Sequence, residues 1–209
     1  MSEYMTPVML TDSTGYLSET TNTCIKVAIA VTVVVALTAA IVLTCGAASI
    51  SAAPILFTGY SGMAFAGSAN VLRQRSEGLA WEEIDYGEAA LSSAKGFAVG
   101  AASTFSGFGL VAASTGAGIV GVLTSGINSA IDQEQFTAGD AGIAFISSAS
   151  GAVLGSLLGG DFHKYGNIWI PLTGHGSHIL KVGVVSGMVG GISEEGIVYV
   201  FDYLGKGRD

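Results

Sequence analysis

The side chains able to carry out chemistry are few and gather near the C-terminus. His163, His175 and His178 are the chain's three histidines, and GHGSH sets the last two three residues apart. On a helix that spacing lets one metal bridge both. Asp161, two residues before His163, completes a D-x-H…H-x-x-H pattern suited to a metal or a general base. Gly174 and Gly176 argue instead for a loop, and no cysteine pair, HExxH or second carboxylate cluster accompanies the histidines. Loop surface is the better account of them, so no metal is assigned. Ser and Thr are plentiful, yet no GxSxG elbow occurs. GxxxxGK[ST] is absent too, and GLVAASTGAG at 109–118 lacks GxGxxG spacing, an upstream strand and a basic partner. Glu194-Glu195 reads as a helix end or a solvated turn. These residues point away from an enzyme, and no cofactor is expected.

The charges needed to cover a soluble surface are missing as well. Half the residues are apolar and 11% are charged, where a soluble domain carries about 25%. Mean hydropathy is +0.59. Such a chain sits in lipid, or hides its apolar face in an oligomer or a larger parent. Sixteen acidic against eight basic residues leave a net charge of −8. That argues against nucleic acid as the main partner, and against a basic helix drawn to anionic lipid.

Stepping along the chain, residues 1–23 are polar. From Val27 to Thr44 the only polar members are Thr32, Thr38 and Thr44, and neither Gly nor Pro interrupts the run. Its length suits a membrane-spanning helix, expected to be continuous. Lys26 marks its upstream edge. A cleaved signal is the rival, but residues 1–25 hold Glu3, Asp12 and Glu19 and no Lys or Arg. Cys24 and Cys45 stand at opposite ends of the run, about 30 Å apart on a helix, too far for a disulfide. A second apolar stretch, Ala47 to Leu72, contains Pro54 and Gly59 and is closed by Arg73 and Arg75. Residues 24–75 thus read as a hydrophobic helical hairpin with both open ends facing the cytoplasm. Residues 73–88 are a charged connector bearing Trp81 and Tyr86. Residues 76–160 then hold a Gly-rich region. Gly107, Gly109, Gly116 and Gly118 are expected to divide its first block, 87–131, into two helices. A polar turn, 132–140, precedes the second block, 141–160. In the mixed segment 161–209, NIWIPLTG and IVYVFDYL are rich in β-branched and aromatic residues and suit short strands.

Two segments of the Gly-rich region repeat each other 55 residues apart: SSAKGFAVG at 92–100 and SSASGAVLG at 147–155. Gly87-Glu88-Ala89 and Gly139-Asp140-Ala141 stand ahead of them as matching acidic starts. Gly96 and Gly100, then Gly151, Gly155 and Gly159, and in the tail Gly183, Gly187 and Gly191, recur every four residues. On a helix that spacing forms a flat strip on which another helix can approach closely. Lipid offers no hydrophobic force between helices, so close packing of small residues is the membrane's way of joining them. The expected fold is mainly α: hydrophobic helical hairpins with glycine-zipper packing, and a few short strands near the C-terminus.

TPVMLTDSTGY, Thr6 to Tyr16, resembles the close of the RHS/YD-repeat core of bacterial polymorphic toxins, a segment like NPVxxxDPxGY. Pro7, Val8, Asp12, Gly15 and Tyr16 match; Thr6 replaces Asn and Ser13 replaces Pro. The Gly/Ala-rich text WEEIDYGEAALSSAKGFAVGAASTFSGFG is similar to the hydrophobic region that follows such cores. The resemblance implies a C-terminal toxin region delivered to a neighbouring cell, with an immunity protein as partner. The leading expectation is a pore-forming or permeabilising region whose partners are the lipid bilayer and further copies of itself, with Ser147, Ser148 and Ser150 wetting a path. Two alternatives stay open: a translocation module carrying a small effector in 161–209, and a membrane protein with no toxin role.

Overall fold

The computed structural model describes residues 18–47, 52–105, 107–166, 187–193, 195–197, 199 and 200. Among them all regular structure is helical. The segment Thr6–Tyr16, Gly183, His175, His178 and NIWIPLTG lie outside the described residues.

Helix α1 (Glu19–Ala47) contains Val27–Thr44 without a break. Ser18 Oγ accepts the Thr21 N–H at 3.2 Å and opens it. The Thr32 hydroxyl donates to the Ala28 carbonyl at 2.8 Å, one turn back, so a polar residue costs little on an apolar face. Helix α2 (Ala53–Ser76) carries Pro54 in its first turn, where a missing N–H is harmless. Thr58, Ser61 and Ser68 each bond back to their own helix in the same way. Gly78, at φ +97°, ends it: Gly78 and Leu79 return their N–H groups to Arg75 and Gln74. A single 3-10 turn, Trp81–Glu83, leads to α3 (Tyr86–Ala102).

The block 87–131 does form two helices, α3 and α4 (Gly107–Ile131), with Gly107 opening the second, but the other three glycines do not divide them. Gly109, Gly116 and Gly118 lie inside α4. The break falls at Ser103–Phe105, where the Ser103 and Thr104 hydroxyls cap the Gly100 and Ala101 carbonyls. Gln133 turns the chain at φ 58°, and α5 (Ala138–Gly166) follows. It runs past the expected end of its apolar block and takes Gly159, Asp161 and His163 into a helix. The described part of IVYVFDYL departs from expectation as well: Ile197, Tyr199 and Val200 are helical. The described tail residues 187–193, 195–197, 199 and 200 are helical, the β-branched Ile192, Ile197 and Val200 among them, against their strand preference.

Helix α3 is the hub. It packs on α1, α2, α4 and α5, and the closest pairs are α2 with α3 and α4 with α5. Helix α1 rests on α3 and only brushes α2. The packed residues are small. Ala98, Val99, Ala102, Ala117 and Ala152 form one buried cluster; Ala30, Leu91 and Ala94 form another.

The two hairpins α2–α3 and α4–α5 repeat one arrangement. Gly67 of α2 faces the Ala89 carbonyl and the Ser93 hydroxyl of α3. Gly121 of α4 faces the Ala144 carbonyl and the Ser148 hydroxyl of α5. Ala89 and Ala144, like Ser93 and Ser148, are 55 residues apart, the spacing of the sequence repeat. In each hairpin a side chain on that glycine would strike backbone or hydroxyl.

Candidate functional site

The strip on α3 lies against α2. A Cβ on Gly96 would stand 3.0 Å from the Gly62 carbonyl carbon, and one on Gly100 would stand 3.2 Å from the Gly62 Cα. The other face of the same α2 stretch takes the tail: a Cβ on Gly187 would be 2.7 Å from the Gly62 nitrogen, and one on Gly191 2.8 Å from the Gly62 oxygen. Gly62 therefore sits between two helical segments, and no side chain larger than hydrogen fits there. Sequence reasoning passed it over because its own spacing, Gly59-Gly62-Gly67, is irregular. Gly151 and Gly155 are buried in α5, and a Cβ on Gly190 would lie 3.4 Å from the Gly151 oxygen. Gly159 continues the strip along α5.

The interior so formed mixes small apolar residues with many polar ones. Thr58, Asn70, Gln74, Ser92, Thr124, Ser147 and Ser148 are all buried. Large apolar side chains point outward instead: on α1, Val31 is 58% exposed, Val35 61% and Leu43 74%. Leu72, Ile119, Leu123 and Leu157 are also exposed. Among the described residues three helices, Glu19–Ala47, Gly109–Ile131 and Ala138–Leu157, are long and apolar enough to cross a membrane.

Most of the described charge gathers at one end; Asp161 and Lys164, in the last turns of α5, are the exceptions at the other. Residues 27–72, 96–131 and 141–160 carry none. The charged residues between them fall at the start of α1, the end of α2, the start of α3, the end of α4 and the start of α5, which the antiparallel packing brings together. There Lys26, 1% exposed, donates to Asp85 Oδ2 at 2.6 Å and Asp132 Oδ2 at 2.8 Å. The other carboxylate oxygen of Asp85 caps α3, accepting from the N–H groups of Gly87 (2.8 Å) and Glu88 (2.9 Å). Gln74 clamps the same residue: its amide oxygen accepts the Asp85 N–H at 2.7 Å, and its NH2 donates to the Asp85 carbonyl at 3.2 Å. Burial pushes the Asp85 carboxyl up. The Lys26 hydrogen bond, the Glu88 N–H, the Lys26 charge and the Gly87 N–H outweigh it and hold the group below its ordinary value. Lys26 was legible as the edge of an apolar run. Its partners, 59 and 106 residues away, were not.

Beside this cluster lies a polar cavity of about 360 Å³. Asn70 and Arg73 of α2, Glu88 of α3, Thr124 of α4 and Asp140 of α5 reach its wall, and Glu195 closes it from the tail. Arg73 pairs with Glu88, Asn70 donates to Glu88 at 3.1 Å and to Ser92 at 3.2 Å, and Ser92 donates to Glu195. Among the described residues no group of three or more His, Cys, Asp or Glu could hold a metal. His163 lies on α5 near the opposite end of the bundle from this cavity. The arrangement sets a polar, hydrogen-bonded cavity at one end of a bundle whose outer face is apolar. No family model, no curated protein and no solved structure matches this chain.

Proposed function

We propose that the chain is the membrane-active, pore-forming or permeabilising region of an RHS-type toxin. The observation that carries the membrane part is the inverted distribution of side chains. Leu43, Val35 and Leu123 face outward, while Ser147, Ser148, Thr124 and Asn70 are buried. Helices in lipid join through small residues and interior hydrogen bonds, and their apolar side chains face the acyl chains. Three span-length helices and the gathering of most described charge at one end fit the same reading. The RHS assignment rests on the resemblance at Thr6–Tyr16, and an immunity protein and self-association belong to that assignment.

Expression of the chain in a bacterium loaded with a potential-sensitive dye tests the reading. Depolarisation is expected, with the protein recovered in the membrane fraction. An unchanged potential with the protein in that fraction overturns it.

A further inference from the structure

We propose that the polar cavity at the charged end is a cation vestibule, the mouth at which the pore gathers hydrated monovalent cations and turns anions away; this rests on the pore reading above. Four carboxylates, Glu88, Glu134, Asp140 and Glu195, reach the wall against Arg73 and Lys95. The wall is therefore negative, within a chain of net charge −8. A cleft lined by one dominant sign raises the local concentration of the opposite ion.

The carboxylates do not converge. No three of them, nor any other described acidic, His or Cys side chains, come close enough to hold a metal ion. Spread charge around a roomy cavity attracts ions that keep their water, whereas a tight ligand cage strips it. The neutral part of the wall, Asn70, Ser92 and Thr124, supplies hydroxyl and amide dipoles for that water. Glu195 is the telling member. It is 4% exposed, it belongs to the tail rather than to either hairpin, and it takes the Ser92 hydroxyl at the cavity wall. A carboxylate desolvated on a segment threaded past α2 and α3 is costly unless the cavity beyond it is wet. Further down the bundle, Thr124 gives way to the Gly121–Ser148 contact and then to the Ala117–Ala152 cluster.

The test is the reversal potential of the full-length chain in planar bilayers under a KCl gradient. Potassium is expected to be preferred over chloride. Glu195→Gln, and separately Glu134→Gln at an exposed position, should each lower the potassium-to-chloride permeability ratio by about threefold. Glu134→Lys should lower it further, which keeps the test alive if the buried Glu195→Gln variant does not fold. Glu82→Gln, exposed on the 3-10 turn outside the cavity, should leave the ratio unchanged. Chloride preference, unmoved ratios in the Glu134 variants, or an equal shift in Glu82→Gln would overturn the vestibule alone. Absence of any conductance from the unaltered chain would overturn the pore reading and the vestibule with it.

Discussion

Lys26 Nζ lies 2.6 Å from Asp85 Oδ2, so the buried cation of the outermost helix is held by the residue that caps the central one. Removing one partner of a fully buried ion pair costs about 3 kcal/mol or more. Here the surviving Asp85 and Asp132 are 38% and 28% exposed, so water screens them and the cost falls to about 1–2 kcal/mol. Lys26→Met is therefore expected to destabilise the bundle by about that amount in detergent, read as the thermal midpoint of the helical circular-dichroism signal. Combining it with Asp85→Asn and Asp132→Asn should recover part of the loss, since asparagine still caps α3. No change in Lys26→Met would mean that α1 is held by apolar contact alone.

Acid should loosen the same junction. The Asp85 carboxyl is held below its ordinary value in the folded chain. It thus contributes stability that is fully present above the unfolded carboxylate value, about pH 4, and is lost as pH falls through the folded value. The midpoint should drop on acidification below about pH 4, and Asp85→Asn should flatten that limb. An acid limb of unchanged slope in Asp85→Asn would assign the loss to other carboxylates.

Gly100→Leu should force α2 and α3 apart. Its Cβ would meet the Thr58 carbonyl and the Gly62 backbone, neither of which can rotate away. Overpacking of this kind costs about 1–3 kcal/mol. Gly142→Leu is the control, since a Cβ there meets nothing within 4 Å. Membrane recovery of both variants, with depolarisation lost in Gly100→Leu only, is the expected pattern. Equal loss in both would indicate a general need for small residues rather than a contact.

The cysteines report on orientation. Cys24 is exposed near the charged end, and Cys45 is buried near the other. A membrane-impermeant maleimide should label Cys24 in the intact protein and reach Cys45 only after denaturation. Rapid labelling of Cys45 in the native state would show that α1 does not rest on α3 as described.

Much of the helical framework could be read from residue types. Val27–Thr44 was legible because an unbroken apolar run of about one bilayer's length has few other outcomes. The repeat at Ser92 and Ser147 was legible because it preserves residues that touch, and Gly67 and Gly121 supply the partner surface. The division of 87–131 was misplaced because glycine's cost inside a helix, about 1 kcal/mol, is small beside close packing. Gly118, for example, sits under the Phe145 ring in mid-helix. The Lys26 junction and the polar cavity were not legible. Both are made by side chains from helix ends that meet only after the chain has folded back four times, and no local spacing encodes that meeting.

The charge pattern makes the two ends of the bundle unequal. The end holding Lys26, Asp85, Glu88 and Asp132 carries an ionic network, whereas the far end sets Asp161 and Lys164 of α5 beside Thr44, Ala53 and Ser103. Under the membrane reading proposed above, the ion-poorer end would be the cheaper one to push through hydrocarbon. The side from which the chain met the bilayer would then set which compartment the ionic network faces.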